Sequence, residues 1–379
     1  MTVQSFGCRL NLAEGDAIAA FGVKATVINT CAVTAEAVRQ GRQAVRRAAA
    51  SGAPVIATGC AATLDPAGFT ALPGVVRAVA NDAKLDPASY PGARPRRATG
   101  RHTRGFVAVQ TGCDHRCTFC IIPLARGPAR SLSPARIIDQ VAALVDSGTN
   151  EVVLTGVDLT SFGPAPLGTL VQRILRDVPA LPRLRLSSLD SVEIDDALVD
   201  ALGDARLMPH LHLSLQSGDD LILKRMRRRH SRAQAIAVSE RVRRARPGIA
   251  LTADFIAGFP TESDAAFAGT LALVDDAGLT GVHVFPFSPR PGTPAARMPQ
   301  VPPAVARDRA ARLRAVGDAR RAAALAREVG RPQRILVEAG GTTGHTEAFL
   351  TARLATAAPR GSIVERVATA ATDTRLETA

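Results

Sequence analysis

The sequence predicts an α/β protein made of a small parallel α/β domain, a partial (β/α)6 barrel and a small C-terminal β domain. Short runs rich in β-branched residues alternate with helical segments through most of the chain, which is typical of parallel sheets. Only strand-like runs follow near the C-terminus. We therefore divide the chain into residues 1–90, a basic linker at 91–104, a barrel with a trailing helix at 105–330, and the β domain at 331–379.

The first domain is predicted from a strand–helix–strand pattern. The runs VKATVINTC (23–31) and APVIATGC (53–60) predict strands, and each ends in a cysteine. Residues 34–50 lie between them, begin with a good N-cap residue, Thr34, and continue with helix formers. A strand, a helix and a second strand in this order predict a parallel sheet.

The central region repeats the strand-and-helix alternation six times. Six repeats predict a parallel barrel with its active site at the carboxyl ends of the strands. A proline-rich connector at 286–303 and an arginine-rich helix at 303–329 follow it, and a strand is predicted at 346–355 in the β domain. The six barrel strands are predicted at residues 105–112, 151–158, 184–189, 210–217, 250–259 and 281–288.

The composition of the sequence indicates the cellular location of the protein and the kind of partner it binds. The 379 residues are 46% hydrophobic and 21% charged, which is typical of a globular protein. The sequence contains neither a run of about 18 apolar residues nor a signal-peptide pattern, so we expect a cytoplasmic protein without a membrane partner. Six cysteines in such a chain favour metal binding or redox chemistry over disulfides. A net charge of +13 indicates a polyanionic partner, nucleic acid first, although a merely arginine-rich surface would give the same value.

Three of the cysteines lie within eight residues, in QTGCDHRCTFC. Cys113, Cys117 and Cys120 follow the first barrel strand and so fall at the predicted mouth of the barrel. Structural zinc usually takes four protein ligands, so three local thiolates alone are an uncommon zinc set. A four-iron cluster held by three cysteines instead keeps one iron open for a substrate or cofactor.

This cysteine loop resembles that of the radical S-adenosylmethionine (SAM) enzymes. The resemblance implies a [4Fe–4S] cluster whose open iron chelates SAM, and an electron from the cluster that cleaves SAM to a 5′-deoxyadenosyl radical. It also implies cofactor contacts around the cluster, at the ends of the second, fourth, fifth and sixth strands, although ordinary turn chemistry would explain each of these positions as well. The implied contacts are Phe119, Gly156, Asp158, Ser214, Gln216, Ile256, Gly258 and Phe285.

Cys8, Cys31 and Cys60 are far apart in the sequence but lie in similar settings, FGCRLN, INTCAVT and ATGCAA. If the predicted strands are neighbours, these cysteines converge at one sheet edge, either as a second three-cysteine site or as small buried hydrophobes. Nearly the whole chain resembles the methylthiotransferases, which implies a second [4Fe–4S] cluster on these three residues and a TRAM-like C-terminal domain. Only 22 residues separate Cys8 from Cys31, which suggests a trimmed helix and strand.

Within that family the motifs QTGCDHRCTFCIIPLARGPARS and MPHLHLSLQSGDDLILKRMRRRHSR most resemble the branch that acts on N6-threonylcarbamoyladenosine at position 37 of tRNA. The resemblance implies hydrogen abstraction from C2 of the adenine, sulfur from the second cluster, and methylation of that sulfur by a second SAM. The alternatives are isopentenyladenosine-37 and a ribosomal-protein aspartate. A non-enzymatic iron–sulfur RNA-binding protein is the alternative from another class.

The basic run KRMRRRHSR (224–232) follows the fourth barrel strand near the mouth. Such a run would neutralise phosphates, and we expect it to contact the anticodon stem-loop of tRNA, although a solvated helix face would look the same. Further expected partners are a reducing donor of the flavodoxin or ferredoxin type and a sulfur donor. The expected RNA contacts are Lys224, Arg225, Arg227, Arg228 and Arg229.

Overall fold

The computed structural model describes residues 2–94 and 102–379. Half of the predicted basic linker, residues 95–101, therefore lies outside the described residues. The chain starts with four parallel strands in the order β1-β2-β3-β4, connected by helices. The elements are β1 (Thr2–Ser5), α1 (Arg9–Ala20), β2 (Thr26–Thr30), α2 (Ala35–Ala50), β3 (Val55–Gly59), α3 (Cys60–Leu64), α4 (Pro66–Thr70) and β4 (Val75–Val79).

The short interval between Cys8 and Cys31 still holds a complete helix and strand, α1 and β2. The suggestion that both are trimmed is therefore not supported by this fold. Helix α1 was not predicted because its buried face mixes the apolar Leu10 and Ile18 with the polar Asn11 and Glu14 and with Gly15, which weakens its apolar periodicity. Gly15 is required there because an added Cβ would lie 2.1 Å from Oγ of Ser5.

Six parallel strands form the partial barrel, and this confirms the predicted fold class. They pair as β5-β8-β9 and β10-β11-β12, and bridges such as Leu189 with Leu213 join the two sheets. The cysteine loop follows β5 and carries the β6–β7 hairpin. The barrel elements are β5 (Gly105–Ala108), β6 (Gln110–Thr111), α5 (Ile122–Arg126), β7 (Arg130–Ser131), α6 (Pro134–Asp146), β8 (Glu151–Thr155), α7 (Leu167–Asp177), β9 (Arg183–Leu186), α8 (Asp196–Ala201), β10 (His210–Gln216), α9 (Asp220–Met226), α10 (Arg232–Ala245), β11 (Ala250–Ala257), α11 (Asp264–Asp276) and β12 (Gly281–Pro286).

A long helix and a closed five-stranded barrel end the chain. The strand order is β13-β14-β15-β17-β16, and Leu325 of the helix packs in the core of this domain. The prediction of one strand at 346–355 is wrong, because a turn interrupts it where Phe349 adopts a left-handed backbone with φ +64°. The elements are α12 (Pro303–Arg327), β13 (Pro332–Val337), β14 (Thr343–Thr346), β15 (Thr351–Leu354), β16 (Ile363–Ala371) and β17 (Leu376–Thr378).

A buried ionic network fixes the first domain to the barrel. Arg126, at the end of α5, donates to both carboxylate oxygens of Glu14 on α1, at 2.8 and 2.9 Å, and to Oδ1 of Asn11 at 2.6 Å. Lys84 binds the same carboxylate. Burial alone would raise the pKa of Glu14, but Lys84 and Arg126 hold that pKa below its ordinary value. The α1 helix and the cysteine loop are therefore held in one fixed relation.

Candidate active site

The loop that carries Cys113, Cys117 and Cys120 lies at the carboxyl end of the barrel. The backbone N–H of Cys113 donates to the carbonyl of Gly127, and that of Cys120 donates to the carbonyl of Cys117. Burial, with a smaller contribution from nearby cysteines, raises the pKa of the Cys113 thiol to about 12 and that of Cys120 to about 11. Such thiols become stable thiolates only with a strong cationic partner, as a cluster of iron ions provides.

Neither cysteine set is suited to one metal ion. Two thiolates bound to a single ion at about 2.3 Å are at most about 4.6 Å apart. Among the described residues, only two groups of three ligand atoms lie within 4.8 Å of one another, and neither contains more than one cysteine. Within each cysteine set, at least two of the thiols therefore lie more than 4.8 Å apart.

Asp158 and Arg228 surround the cysteine loop with hydrogen bonds. Asp158 Oδ2 lies 3.8 Å from Sγ of Cys113 and 2.6 Å from Nε2 of His115. Arg228 donates to Sγ of Cys117 at 3.8 Å and to the carbonyl of Ser214 at 2.6 Å. Arg228 thus connects a cysteine of the loop to β10, a role that was not predicted for it.

The predicted cofactor contacts fall into two groups. Gly156 and Phe285 line the cavity described below, whereas Phe119 and Ile256 belong to an apolar cluster with Phe259 that does not line it. The N–H of Gly258 already donates to Glu262 at 2.9 Å, and a Cβ there would lie 2.3 Å from that of Ala306. The glycine is therefore explained by the close approach of α12. Gln216 has a left-handed backbone with φ +69° at the end of β10.

The second cysteine set converges at one edge of the N-terminal sheet. Cys8 lies just beyond β1, Cys31 directly follows β2, and Cys60 directly follows β3, so three neighbouring parallel strands bring them together. Burial, with smaller contributions from Cys8 and Cys60, raises the pKa of Cys31 to about 11. Gly7 allows this packing, because a Cβ at its position would lie 2.5 Å from Sγ of Cys31.

The two cysteine sets are close to each other. Helix α3, which begins at Cys60, packs against α5, and Cys60 shares an apolar cluster with Ile121 and Ala125. Cys60 also contributes to the raised pKa of Cys120. The N-terminal domain therefore brings its cysteines to the cysteine loop of the barrel.

A cavity of about 660 Å³ occupies the barrel lumen between β8, β9, β10, β11 and β12. Cys8 and Cys31 line it, so the thiol of Cys8 is accessible from the cavity although protein surrounds it. Phe285, which is 41% exposed, presents its side chain to the same space. The C-terminal domain closes the amino end of the lumen with His345 and Phe349. The volume lies in the range of small-ligand sites.

The lumen wall carries a polar group that the sequence analysis missed. His212 Nε2 lies 3.0 Å and His283 Nδ1 lies 3.5 Å from Oδ1 of Asp254, and His212 Nδ1 lies 2.7 Å from Oγ1 of Thr252. The two histidines lower the pKa of Asp254 to about 2, although burial alone would raise it. The alternation in HLHLS, with every second residue facing the lumen, was the signal available in the sequence.

The basic run at 224–232 is partly occupied by contacts within the protein. Arg225 donates to Thr261, and Arg229 pairs with Glu193 and Asp190. Arg228 binds Asp190 in addition to the contacts described above. Lys224 and Arg227 are exposed, and Arg227 ends α9 in the left-handed conformation. These two remain the best placed of the expected RNA contacts.

Comparisons with known proteins agree with this architecture. The radical SAM superfamily matches residues 107–274. The chain is 41% identical to the threonylcarbamoyladenosine tRNA methylthiotransferase MtaB of Rickettsia prowazekii (strain Madrid E), over 93% of this chain and 90% of that protein. It is 32% identical to a tRNA-2-methylthio-N(6)-dimethylallyladenosine synthase of Cereibacter sphaeroides (strain ATCC 17025 / ATH 2.4.3), over 89% of this chain and 87% of the relative.

A solved structure has a related fold. The radical S-adenosylmethionine methyltransferase TsrM of Kitasatospora setae, with cobalamin and a [4Fe–4S] cluster bound, gives a TM-score of 0.57 at 17% identity, over 72% of this chain and 65% of that one. The barrel and its cysteine loop thus define a radical SAM enzyme, which implies a [4Fe–4S] cluster and SAM. The chain belongs to the radical SAM methylthiotransferase family and is a transferase. No helix in the described residues is long and apolar enough to span a membrane.

Proposed function

We propose that this protein methylthiolates C2 of N6-threonylcarbamoyladenosine-37 in tRNA, using one [4Fe–4S] cluster on Cys113, Cys117 and Cys120 and a second on Cys8, Cys31 and Cys60. The observation that carries the proposal is the shared lumen: Cys8 and Cys31 line the same cavity as Gly156, at the end of β8 and two residues before Asp158. An adenine in that cavity would face Cys8 and Cys31 of the second set, and it would reach the side of the first set through Gly156.

The bound groups supply a 5′-deoxyadenosyl radical from SAM at the first cluster, and sulfur at the second. The chain itself positions them. Arg228 donates to Cys117, and the His115–Asp158 pair lies beside Cys113. Phe285 offers an aromatic face on which an extruded adenine stacks. Lys224 and Arg227 lie exposed for contact with the phosphates of the anticodon stem.

The choice of substrate rests on the relative that is 41% identical and on the polar lining of the lumen. The lumen is lined by polar side chains such as His212, Asp254 and Thr252, which offer an apolar dimethylallyl arm no apolar contacts. A threonylcarbamoyl arm carries a hydroxyl, amide groups and a carboxylate that match such a lining. Nothing in the lumen favours a ribosomal-protein aspartate over a nucleoside. A tRNA substrate fits a protein that acts in the cytoplasm. Its further partners would be an electron donor of the flavodoxin or ferredoxin type and a separate sulfur donor.

The experiment uses the full chain, reconstituted anaerobically with iron and sulfide. It is incubated with SAM, a reductant and either of two anticodon stem-loops, one with threonylcarbamoyladenosine and one with isopentenyladenosine at position 37. Mass spectrometry of the nucleosides is expected to find the 2-methylthio product from the first RNA. Product from the second RNA alone would overturn the substrate, and failure to cleave SAM with full iron loading would favour a non-enzymatic RNA-binding protein.

A further inference from the structure

Arg9 is a cation that faces the lumen without a carboxylate partner. It directly follows Cys8, begins α1 and lines the cavity. Within residues 2–94 and 102–379, no carboxylate lies within ion-pair distance of its guanidinium. Its one specific contact there is with the ring of Phe349, whose centroid lies 5.3 Å from the guanidinium carbon.

The neighbours of Arg9 increase the need for an anion. Arg104 and Arg185 also contact the Phe349 ring, at 5.2 and 4.7 Å. Both are already paired with Glu151, and that carboxylate is buried behind them. Arg9 therefore lies in a group of three arginines, and it is the member of that group with no carboxylate in ion-pair contact.

The other charges of the lumen do not satisfy Arg9. Asp254 is the carboxylate that lines the cavity, and it is already engaged by His212 and His283. Arg321 also lines the cavity, but it donates to Asp318 on its own helix at 3.0 Å. Arg9 is thus the cavity-lining cation in the described residues that has no carboxylate partner. An occupant that brings a carboxylate would remove this imbalance.

We propose that Arg9 is the specificity-determining residue that binds the carboxylate of the threonylcarbamoyl arm and thereby admits an anionic substituent in preference to a neutral one. This inference rests on the proposed function. Because Arg9 is adjacent to Cys8, the same contact would hold the modified adenine against the cysteine set that faces the lumen. A buried guanidinium–carboxylate pair is short and directional, so it fixes orientation as well as affinity.

The test removes the negative charge from the substrate and, separately, the positive charge from Arg9. Two anticodon stem-loops are compared, one with threonylcarbamoyladenosine and one with its neutral threonine carboxamide analogue, which is nearly isosteric. The ratio of kcat/KM for the acid to that for the amide is expected to be on the order of 100 in the wild type, and near 1 in Arg9→Gln. Arg9→Lys is expected to keep a ratio of about 10 or more, because it retains the charge but not the two-pronged geometry.

Arg321→Gln is the matched control, since it removes a cavity-lining arginine that already has a carboxylate partner, and its ratio should equal that of the wild type. All variants are compared at equal iron and sulfide per chain. Equal wild-type rates on the acid and the amide would overturn this inference but not the proposed function. A loss of rate in Arg9→Gln that is the same for both RNAs would also overturn it, because it would indicate that Arg9 contacts a phosphate. A wild type without product from either RNA would overturn the proposed function together with the inference.

Discussion

Cys113, Cys117 and Cys120 come from one short loop, whereas Cys8, Cys31 and Cys60 come from the ends of three neighbouring strands. The first set is recognisable in the sequence from the spacing of its three cysteines. The second set exists only when β1, β2 and β3 pair in register and Gly7 leaves space for Cys31. One site is therefore encoded locally and the other by the topology of a sheet. We expect the two sites to respond differently to the same kinds of substitution.

The largest loss of activity should follow from substitution of a cysteine in the loop. Cys120→Ala removes one of three ligands that the proposed SAM-binding cluster requires, so both 5′-deoxyadenosine and methylthio product should fall below detection. Iron should fall from about eight to about four per chain, because the second set is untouched. Anaerobic product analysis and iron determination measure both effects. Continued SAM cleavage by Cys120→Ala would show that these cysteines do not hold the SAM cluster.

The complementary substitution, Cys31→Ala, should separate SAM cleavage from methylthiolation of the RNA. Iron should again fall to about four per chain, and the methylthio product should be lost, but 5′-deoxyadenosine should still form in the presence of SAM and reductant. The same two assays are used, with Cys120→Ala as the opposite case. If Cys31→Ala retains full iron, the three N-terminal cysteines are small buried hydrophobes and not a second site.

The ionic network between the two regions should be costly to break. Glu14→Gln leaves Arg126 and Lys84 buried without their carboxylate, which should lower the free energy of unfolding by about 3–5 kcal/mol in urea titrations. Because the pKa of Glu14 is lowered in the folded state, the difference from the wild type should be complete above about pH 4.3 and should shrink as the pH falls through that lowered pKa.

Glu36→Gln is the control for the network. It removes an exposed carboxylate that is paired with Arg39, and it should leave the urea midpoint unchanged. An equal effect of both substitutions would mean that the buried network does not stabilise the association of the N-terminal domain with the barrel.

The smallest expected effect concerns Gly7. Gly7→Ala adds a Cβ that must displace Cys31, so iron bound by the N-terminal set should decrease while SAM cleavage persists. Gly52→Ala is matched to it, since both glycines have a positive φ but no atom lies within 4 Å of a Cβ at Gly52. The control should cost only about 1–2 kcal/mol of backbone strain, with full iron content. Equal iron in both variants would mean that Cys31 does not depend on this close packing.

The same contrast explains how far the sequence alone could lead. The six barrel strands and α2 were predictable because their apolar periodicity is strong, and the cysteine loop because its ligands are adjacent. Helix α1 was not predicted, since the polar Asn11 and Glu14 lie on its buried face and weaken its apolar periodicity. Arg9, Asp254 and Phe349 were missed because they line one cavity only in the folded structure, from three different domains. Arg228 was predicted as an RNA contact from its charge, which does not indicate that it donates to Cys117.

The position of Phe349 also assigns a task to the C-terminal domain that its modest charge would not suggest. Its side chain, on a turn with a left-handed backbone, closes the amino end of the lumen together with His345. A chain that stops before β13 would lose this part of the cavity wall, and the lumen would be more open to solvent at its amino end. The C-terminal domain therefore helps to form the cavity in which we propose that the substrate binds.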